Sequence, residues 1–314
     1  MTGRLRDRSG FALVLTLVVT ALMVAVVVEM IHQVYVDVSI SRGFRDGQQA
    51  SILAESGVTG GAKLLQLGLS GKSFTSLTDK WAEPIRLDDE AGALTISIAE
   101  ESARINLNDL VYANGQYQDF TLAALKRLGR RLQLTDDLWG ALADWIDTDD
   151  QPRSGGVESP YYRSLKQPYD ARNGGLATLT ELTLVKGFTP ELLTGMLPFV
   201  TIWSDQPGAS ARININTAPK EVLAALDDGI DDRMAESILE RRRLTPFKAT
   251  GELAQVPGLD AGVVSRLAGS SGITVKGSVF RIKAFARVKD AGRTVEAVVR
   301  LGGGAPEFLS WQEY

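Results

Sequence analysis

The chain has 314 residues, 44% apolar and 23% charged, with a formal net charge of −4. That length holds an N-terminal segment and two modest domains, or one domain with a large insertion, and the composition supports folded cores rather than disorder. The absence of cysteine excludes disulfides, thiolate catalysis and cysteine-ligated zinc. A single histidine, His32, excludes a histidine metal centre and a serine–histidine triad, and mild acidity argues against generic nucleic-acid binding.

Residues 1–10 form a basic leader with Arg4, Arg6 and Arg8, and Phe11 to Val28 follow without a charge. An apolar helix of about 20 residues crosses a ~30 Å bilayer core, and the positive-inside rule leaves the leader in the cytoplasm and everything beyond Glu29 outside. A cleaved secretory signal fits less well. The run exceeds the usual ~7–15 apolar residues, and no small-x-small cleavage site precedes Glu29. The expectation is a membrane anchor over 11–28 or slightly beyond.

Helical spacing of apolar residues continues through Ile31, Val34, Tyr35, Val38, Ile52, Leu53, Val58, Leu64 and Leu65. One long helix is expected over 11–70, kinked near Gly43 to Gly47 and near Gly57, Gly60 and Gly61. A loop rich in Ser, Gly and Thr spans Ser70 to Asp79. Leu94, Ile96 and Ile98 then alternate with Thr95 and Ser97, the signature of a strand buried on one face.

From Ala103 to about Ser271 the pattern is helical and repeats. Ala103-Arg104-Ile105-Asn106-Leu107-Asn108 returns as Ala211-Arg212-Ile213-Asn214-Ile215-Asn216, and the phrase around Leu179 to Phe188 returns around Ala249 to Leu259. Two related units of unequal length are implied. Val279 to Val288 alternates strictly, Asp290-Ala291-Gly292 reads as a turn, and Thr294 to Leu301 answers as the second strand of a hairpin. The expected fold is α+β: a long N-terminal helix on a small antiparallel sheet formed by 71–103 and 272–302. An all-α insertion interrupts the sheet as units 104–210 and 211–271. The tail, 303–314, is expected as a flexible end or a docking edge.

Two stretches offer chemistry. Asp144-Trp145-Ile146-Asp147-Thr148-Asp149-Asp150-Gln151-Pro152 is the densest acidic run, and Asp147, Asp149, Gln151 and Glu158 fall at relative positions one, three, five and twelve of a calcium loop. Pro152 stands where an EF-hand needs glycine, so calcium and a solvated loop both remain open, with Arg153 a possible partner for one carboxylate. A glycosidase carboxylate pair is the weakest reading, since no aromatic-rich cleft lies nearby. The second stretch, Glu252 to Asp260 after Arg241-Arg242-Arg243, looks like a helix-hairpin-helix. It lacks a second glycine and places Asp260 where phosphate would sit, which keeps the fold but opposes DNA binding.

Ser9-Gly10-Phe11-Ala12-Leu13 after the leader resembles a type IV prepilin signal. Asp144 to Asp149, Tyr161-Tyr162, Leu184 to Gly187 and Ile213 to Ala218 resemble the general secretion pathway protein K family, the large minor pseudopilins of type II secretion systems. The resemblance covers nearly the whole chain. It implies cleavage by prepilin peptidase between Gly10 and Phe11, methylation of Phe11, and an inner-membrane protein with a periplasmic head. It implies a non-enzymatic subunit at the pseudopilus tip, joined to minor pseudopilins I and J and not to nucleic acid. Leu15 stands where most pilins carry the glutamate that neutralises a neighbouring subunit's N-terminal amine, as suits a subunit with none above it. Structural calcium in the insertion is implied too, carried onto Asp147, Asp149, Asp150 and Glu158. The rival expectation is a membrane-anchored DNA receptor of the competence type using the helix-hairpin-helix.

Overall fold

The computed structural model describes residues 9–205, 211–302 and 304–314. Leader residues 1–8, the end of the first helical unit (206–210) and Gly303 lie outside them. The first helix, α1 (Ser9–Leu69), is continuous over 61 residues. Among the described residues it is the one helix long and apolar enough to cross a membrane. Every residue from Gly10 to Arg45 is exposed, so the other described residues leave this half uncovered.

Packing starts at Asp46, whose carboxylate takes Lys289 Nζ at 2.9 Å. It continues along Ala50, Ala54, Val58, Ala62, Leu65 and Leu69, a stripe at three- to four-residue spacing. Two of the glycines where kinks were expected, Gly57 and Gly61, face the sheet. A Cβ on Gly57 would lie 2.9 Å from Leu94 Cδ1 and 3.0 Å from Ala284 Cβ; one on Gly61 would lie 3.2 Å from Ile282 Cγ2. They let the helix press on a sheet of branched side chains, and the close fit outweighs their poor helix propensity of ~1 kcal/mol each.

Beneath α1 lie β1 (Ile85–Asp89) and β2 (Gly92–Glu100). The two-residue strands β3 (Ile105–Asn106), β4 (Val200–Thr201), β5 (Ile213–Asn214) and β6 (Ile273–Thr274) belong to the insertion. The sheet resumes with β7 (Val279–Val288), β8 (Ala291–Arg300) and β9 (Glu307–Glu313), giving the antiparallel order β1-β2-β7-β8-β9. Val288 pairs with Ala291, so the hairpin turn is Lys289-Asp290, one residue earlier than the glycine indicated. Lys289 takes the left-handed conformation (φ 51°) that two-residue hairpin loops require. The expected tail is ordered: its strand β9 closes the sheet edge, and Tyr314 exchanges both backbone hydrogen bonds with Thr294.

The insertion's first unit carries α2 (Asp119–Arg131), α3 (Asp137–Ile146), α4 (Ser159–Arg163) and α5 (Pro190–Met196); the second carries α6 (Lys220–Ala225), α7 (Asp232–Leu244) and α8 (Ala261–Gly269). The duplication is visible atom by atom. Asn108 Oδ1 accepts from Leu176 N at 2.7 Å, while its Nδ2 donates to Leu176 O and Ile202 O. Asn216 does the same with Phe247 N (2.8 Å), Phe247 O and Val275 O. Each unit closes with a parallel pair, β3 on β4 and β5 on β6. Because Thr274 O accepts from Ile215 N, the second unit runs to about Val275 rather than to 271. One apolar core spans both units, and a separate one fills the space between α1 and the sheet.

The register fixes where the insertion sits. Along α1, Asp46 meets Lys289, Gly57 meets Ala284, and Gly61 meets Ile282. The helix therefore runs antiparallel to β7, and its C-terminal end lies where β2 ends and β7 begins. The helical block leaves the sheet at that end, opposite the apolar half of α1.

Candidate metal centre

Helix α3 is apolar nearly all round, and every residue from Leu138 to Ile146 is buried. Asp144 is therefore carried into the interior by its neighbours Leu142, Ala143 and Trp145. The helix ends at Asp147, and the loop that follows turns back until Glu158 stands at the head of α4. Gly156 makes that return possible. A Cβ there would collide with the Asp144 carboxylate and lie 2.9 Å from Gly140 O.

The result is a pocket of three buried carboxylates, Asp144, Asp147 and Glu158, each with an oxygen within 4.8 Å of the others. Arg153 reaches in from the loop. Its Nη1 donates to Asp144 Oδ1 at 2.8 Å and also to Asp147 Oδ2. Its backbone N–H donates to Asp144 Oδ2 at 3.0 Å, its Nη2 to Gly115 O, and the guanidinium lies 5.2 Å from the Tyr117 ring centre. Asp147 Oδ1 and both Glu158 oxygens are buried with no hydrogen-bond partner.

Burial raises the Asp144 and Asp147 carboxyls above the ordinary aspartate range even with Arg153 beside them. Glu158 is pushed up to about 7, first by burial and then by the charges of Asp144, Asp147, Asp149 and Asp150. Orphaned buried carboxylate oxygens cost several kcal/mol unless something joins them. An all-oxygen donor set with no imidazole or thiolate suits a hard divalent cation, calcium above all. The residues present thus fit the ion. Asp144, Asp147 and Glu158 would hold it, and it would supply the positive charge that lets three carboxylates share one interior pocket.

Of the four residues that the resemblance pointed to, Asp147 and Glu158 are brought together. Asp149 and Asp150 lie exposed on the loop, where Asp149 Oδ1 accepts from Gln151 N at 2.8 Å. Asp144 takes the place they were expected to fill. The signal for it was its position one helical turn before Asp147, which puts both carboxylates on one side of α3.

The helix-hairpin-helix is built as expected and is self-satisfied. Asp260 accepts from Gly262 N (2.8 Å) and Val263 N (3.2 Å), occupying amides at the start of α8 that a phosphate would use. Arg242 is buried and donates to Ile215 O and Ala218 O; Arg241 donates to Gln255 Oε1 at 2.6 Å. Two of the three arginines thus hold the second unit together. At the other end of the chain, Gly10, Phe11 and Leu15 lie exposed on the first two turns of α1.

An exposed apolar half-helix that continues as the packing helix of an antiparallel sheet is the build of a pilin-like subunit. Residues 103–205 and 213–276 match two models of one family, both described as Type II secretion system (T2SS), protein K. The chain belongs to that family, whose members are minor pseudopilins. The matched segments make up more than half of the chain and coincide with the two structural units.

Type II secretion system protein K of Pectobacterium carotovorum is 27% identical over 330 residues, 98% of this chain and 97% of that protein. The Pseudomonas aeruginosa protein of the same description is 29% identical over 282 residues, 84% of this chain and 82% of that one. A solved structure, the GspK–GspI–GspJ complex of the enterotoxigenic Escherichia coli type 2 secretion system, contains a similar fold. It has a TM-score of 0.73 at 20% identity, over 87% of this chain and 99% of that chain.

Proposed function

We propose that this chain caps the distal tip of a type II secretion pseudopilus, supports protein export across the outer membrane, and carries no enzymatic activity. One observation supports this most directly: the helical block sits at the end of the head opposite the apolar half of α1. In a fibre whose subunits stack along such helices, that block occupies the space above the subunit and would obstruct the next addition. Leu15 agrees with this, because a subunit with none above it has no neighbouring amine to neutralise.

In this reading Gly10–Phe11 is the bond cut by prepilin peptidase, and Phe11 is then methylated. The apolar half of α1 anchors the protein in the inner membrane, the head and insertion face the periplasm, and the partners are minor pseudopilins I and J. A calcium ion at Asp144, Asp147 and Glu158 stabilises the first unit, with Asp149 and Asp150 supplying negative charge nearby.

The test is co-expression of the full chain with pseudopilins I and J, purification in detergent, and mass spectrometry of the N-terminus. A stable heterotrimer whose largest subunit begins at methylated Phe11 is expected. An intact Met1, or a chain that purifies without either partner, would overturn the proposal. Duplex DNA binding that weakens with salt would instead favour a receptor.

A further inference from the structure

The carboxylate pocket contains an asymmetry that a simple ion pair does not explain. Both oxygens of Asp144 are taken by Arg153, through Nη1 and the backbone N–H. One oxygen of Asp147 is taken by Nη1, while its other oxygen and both oxygens of Glu158 are buried and unpartnered. Three carboxylates face one guanidinium, so the pocket keeps an excess of two negative charges when all are ionised. A salt bridge selected for stability alone would leave fewer orphans. Arg153 is also held from outside the pocket, by Gly115 O and the Tyr117 ring, on the segment leading into α2.

We propose that Arg153 is the pocket's resident counter-charge and the residue that sets its divalent-cation affinity, by competing for Asp144 and Asp147. This rests on the calcium reading above and adds to it. A cation sharing oxygens of all three carboxylates must draw on the two aspartates that the guanidinium already binds. Two positive groups at the same oxygens repel, so each lowers the occupancy of the other. Arg153 keeps the metal-free pocket folded, and the same contacts weaken metal binding. Its stacking and carbonyl contacts on Gly115 and Tyr117 keep the side chain near when the aspartates are released.

The test uses the full chain in detergent micelles, titrated with calcium chloride by calorimetry, with melting temperatures measured in EDTA and in calcium. Arg153→Gln should melt lower in EDTA, bind calcium about tenfold more tightly, in the range that groups supporting a metal site control, and gain more in melting temperature from calcium than the parent. Arg153→Lys, which keeps the charge without the fork, should lie between the two. Equal or weaker calcium binding by Arg153→Gln overturns the competition and makes the arginine part of the metal-bound site. If Arg153→Gln does not fold in either condition, Arg153→Lys decides, with tighter binding than the parent supporting the proposal and equal or weaker binding overturning it. Glu158→Gln separates the two readings. Calcium binding that survives this change places the ion elsewhere and removes both, and binding that appears only when Arg153 is replaced supports the competition.

Discussion

The two helical units share a scaffold and differ in one loop. In each, an asparagine clamps the backbone of a distant loop, a short parallel strand pair closes the unit, and a turn with a left-handed glycine (Gly187, φ 88°; Gly258, φ 81°) leads into the last helix. After α7 the second unit reaches its clamp residue Phe247 within three residues, whereas after α3 the first makes a long excursion before Leu176. Asp144 sits in the last turn of α3, Asp147 opens that excursion, and Glu158 lies on it. The scaffold supplies rigidity in both copies, and the inserted loop supplies the chemistry in one.

The units are also tied to the head differently, through adjacent glutamates. Glu101 accepts from Thr201 Oγ1 at 2.5 Å, and although burial opposes its ionisation, Arg104 and Arg281 outweigh it and hold it below the usual carboxylate range. Glu100 accepts from Asn214 Nδ2 and Thr75 Oγ1, forms no ion pair among the described residues, and is pushed up to about 7 by burial. The first unit's tie is a charged pair at neutral pH. The second unit's tie is poised between acid and carboxylate.

The largest expected effect tests the shared scaffold. Asn216→Ala removes the clamp and strands the buried backbone groups of Phe247, at a cost of about 3 kcal/mol. Asn108→Ala, at a half-buried site, should cost roughly 2 kcal/mol, and urea unfolding of both variants measures the difference. Equal, negligible effects would show that the resemblance between the units is not structural in origin.

Next is the pH dependence of the second tie. Glu100 binds its proton more tightly folded than unfolded, so its contribution favours the folded state at low pH and is lost as pH rises from about 4.5 to about 7. The full span is at most ~3 kcal/mol. Glu100→Gln should flatten stability over that window, whereas Glu101→Gln should destabilise at pH 7 without doing so. Melting curves at several pH values distinguish them.

Gly156→Ala tests the feature that only the first unit has. The methyl group meets Asp144 and Gly140, so about 1–3 kcal/mol should be lost together with any stabilisation by calcium. The smallest effect is at the boundary between the units, where Asp228 pairs with Arg127 (2.8 Å) and Arg130 (3.1 Å) at the surface. Asp228→Ala should cost less than ~1 kcal/mol and should vanish in high salt. A larger loss would mean that the two units depend on ion pairing rather than on their common core.

Periodicity made the long helix, strand β2 and the β7–β8 hairpin legible in the sequence, and two recurring phrases made the duplication legible. What stayed hidden has physical reasons. Strand β1 carries Arg86, Asp88 and Asp89 and has no alternation, because an edge strand exposed to water needs none. The hairpin turn falls on Lys289, a residue type that gives no left-handed signal. Strand β9 has its half-exposed Phe308 and Trp311 three residues apart, because a bulge between Val298 and Val299 shifts its register. In the pocket, Asp147 and Glu158 could be read from spacing. Asp144 was masked by the apolar helix that buries it, and Arg153's grip on two carboxylates depends on a loop path that sequence does not specify.

Strand β2 pairs with β7 across the whole insertion, Glu100 opposite Phe280. This imposes an order on folding. In chain order the β1–β2 hairpin appears first, with Leu94, Ile96 and Ile98 on a strand whose far edge has no partner until β7 follows. Closing a loop of that length from a disordered chain is slow. A folded insertion shortens it, because β5 and β6 lie side by side and bring Ile273 back beside the start of the second unit. We therefore expect pulsed hydrogen exchange to protect the insertion's amides before those of β2 and β7, with simultaneous protection counting against this order. The block that crowns the folded subunit would then also act, during biogenesis, as the clasp that lets the sheet form.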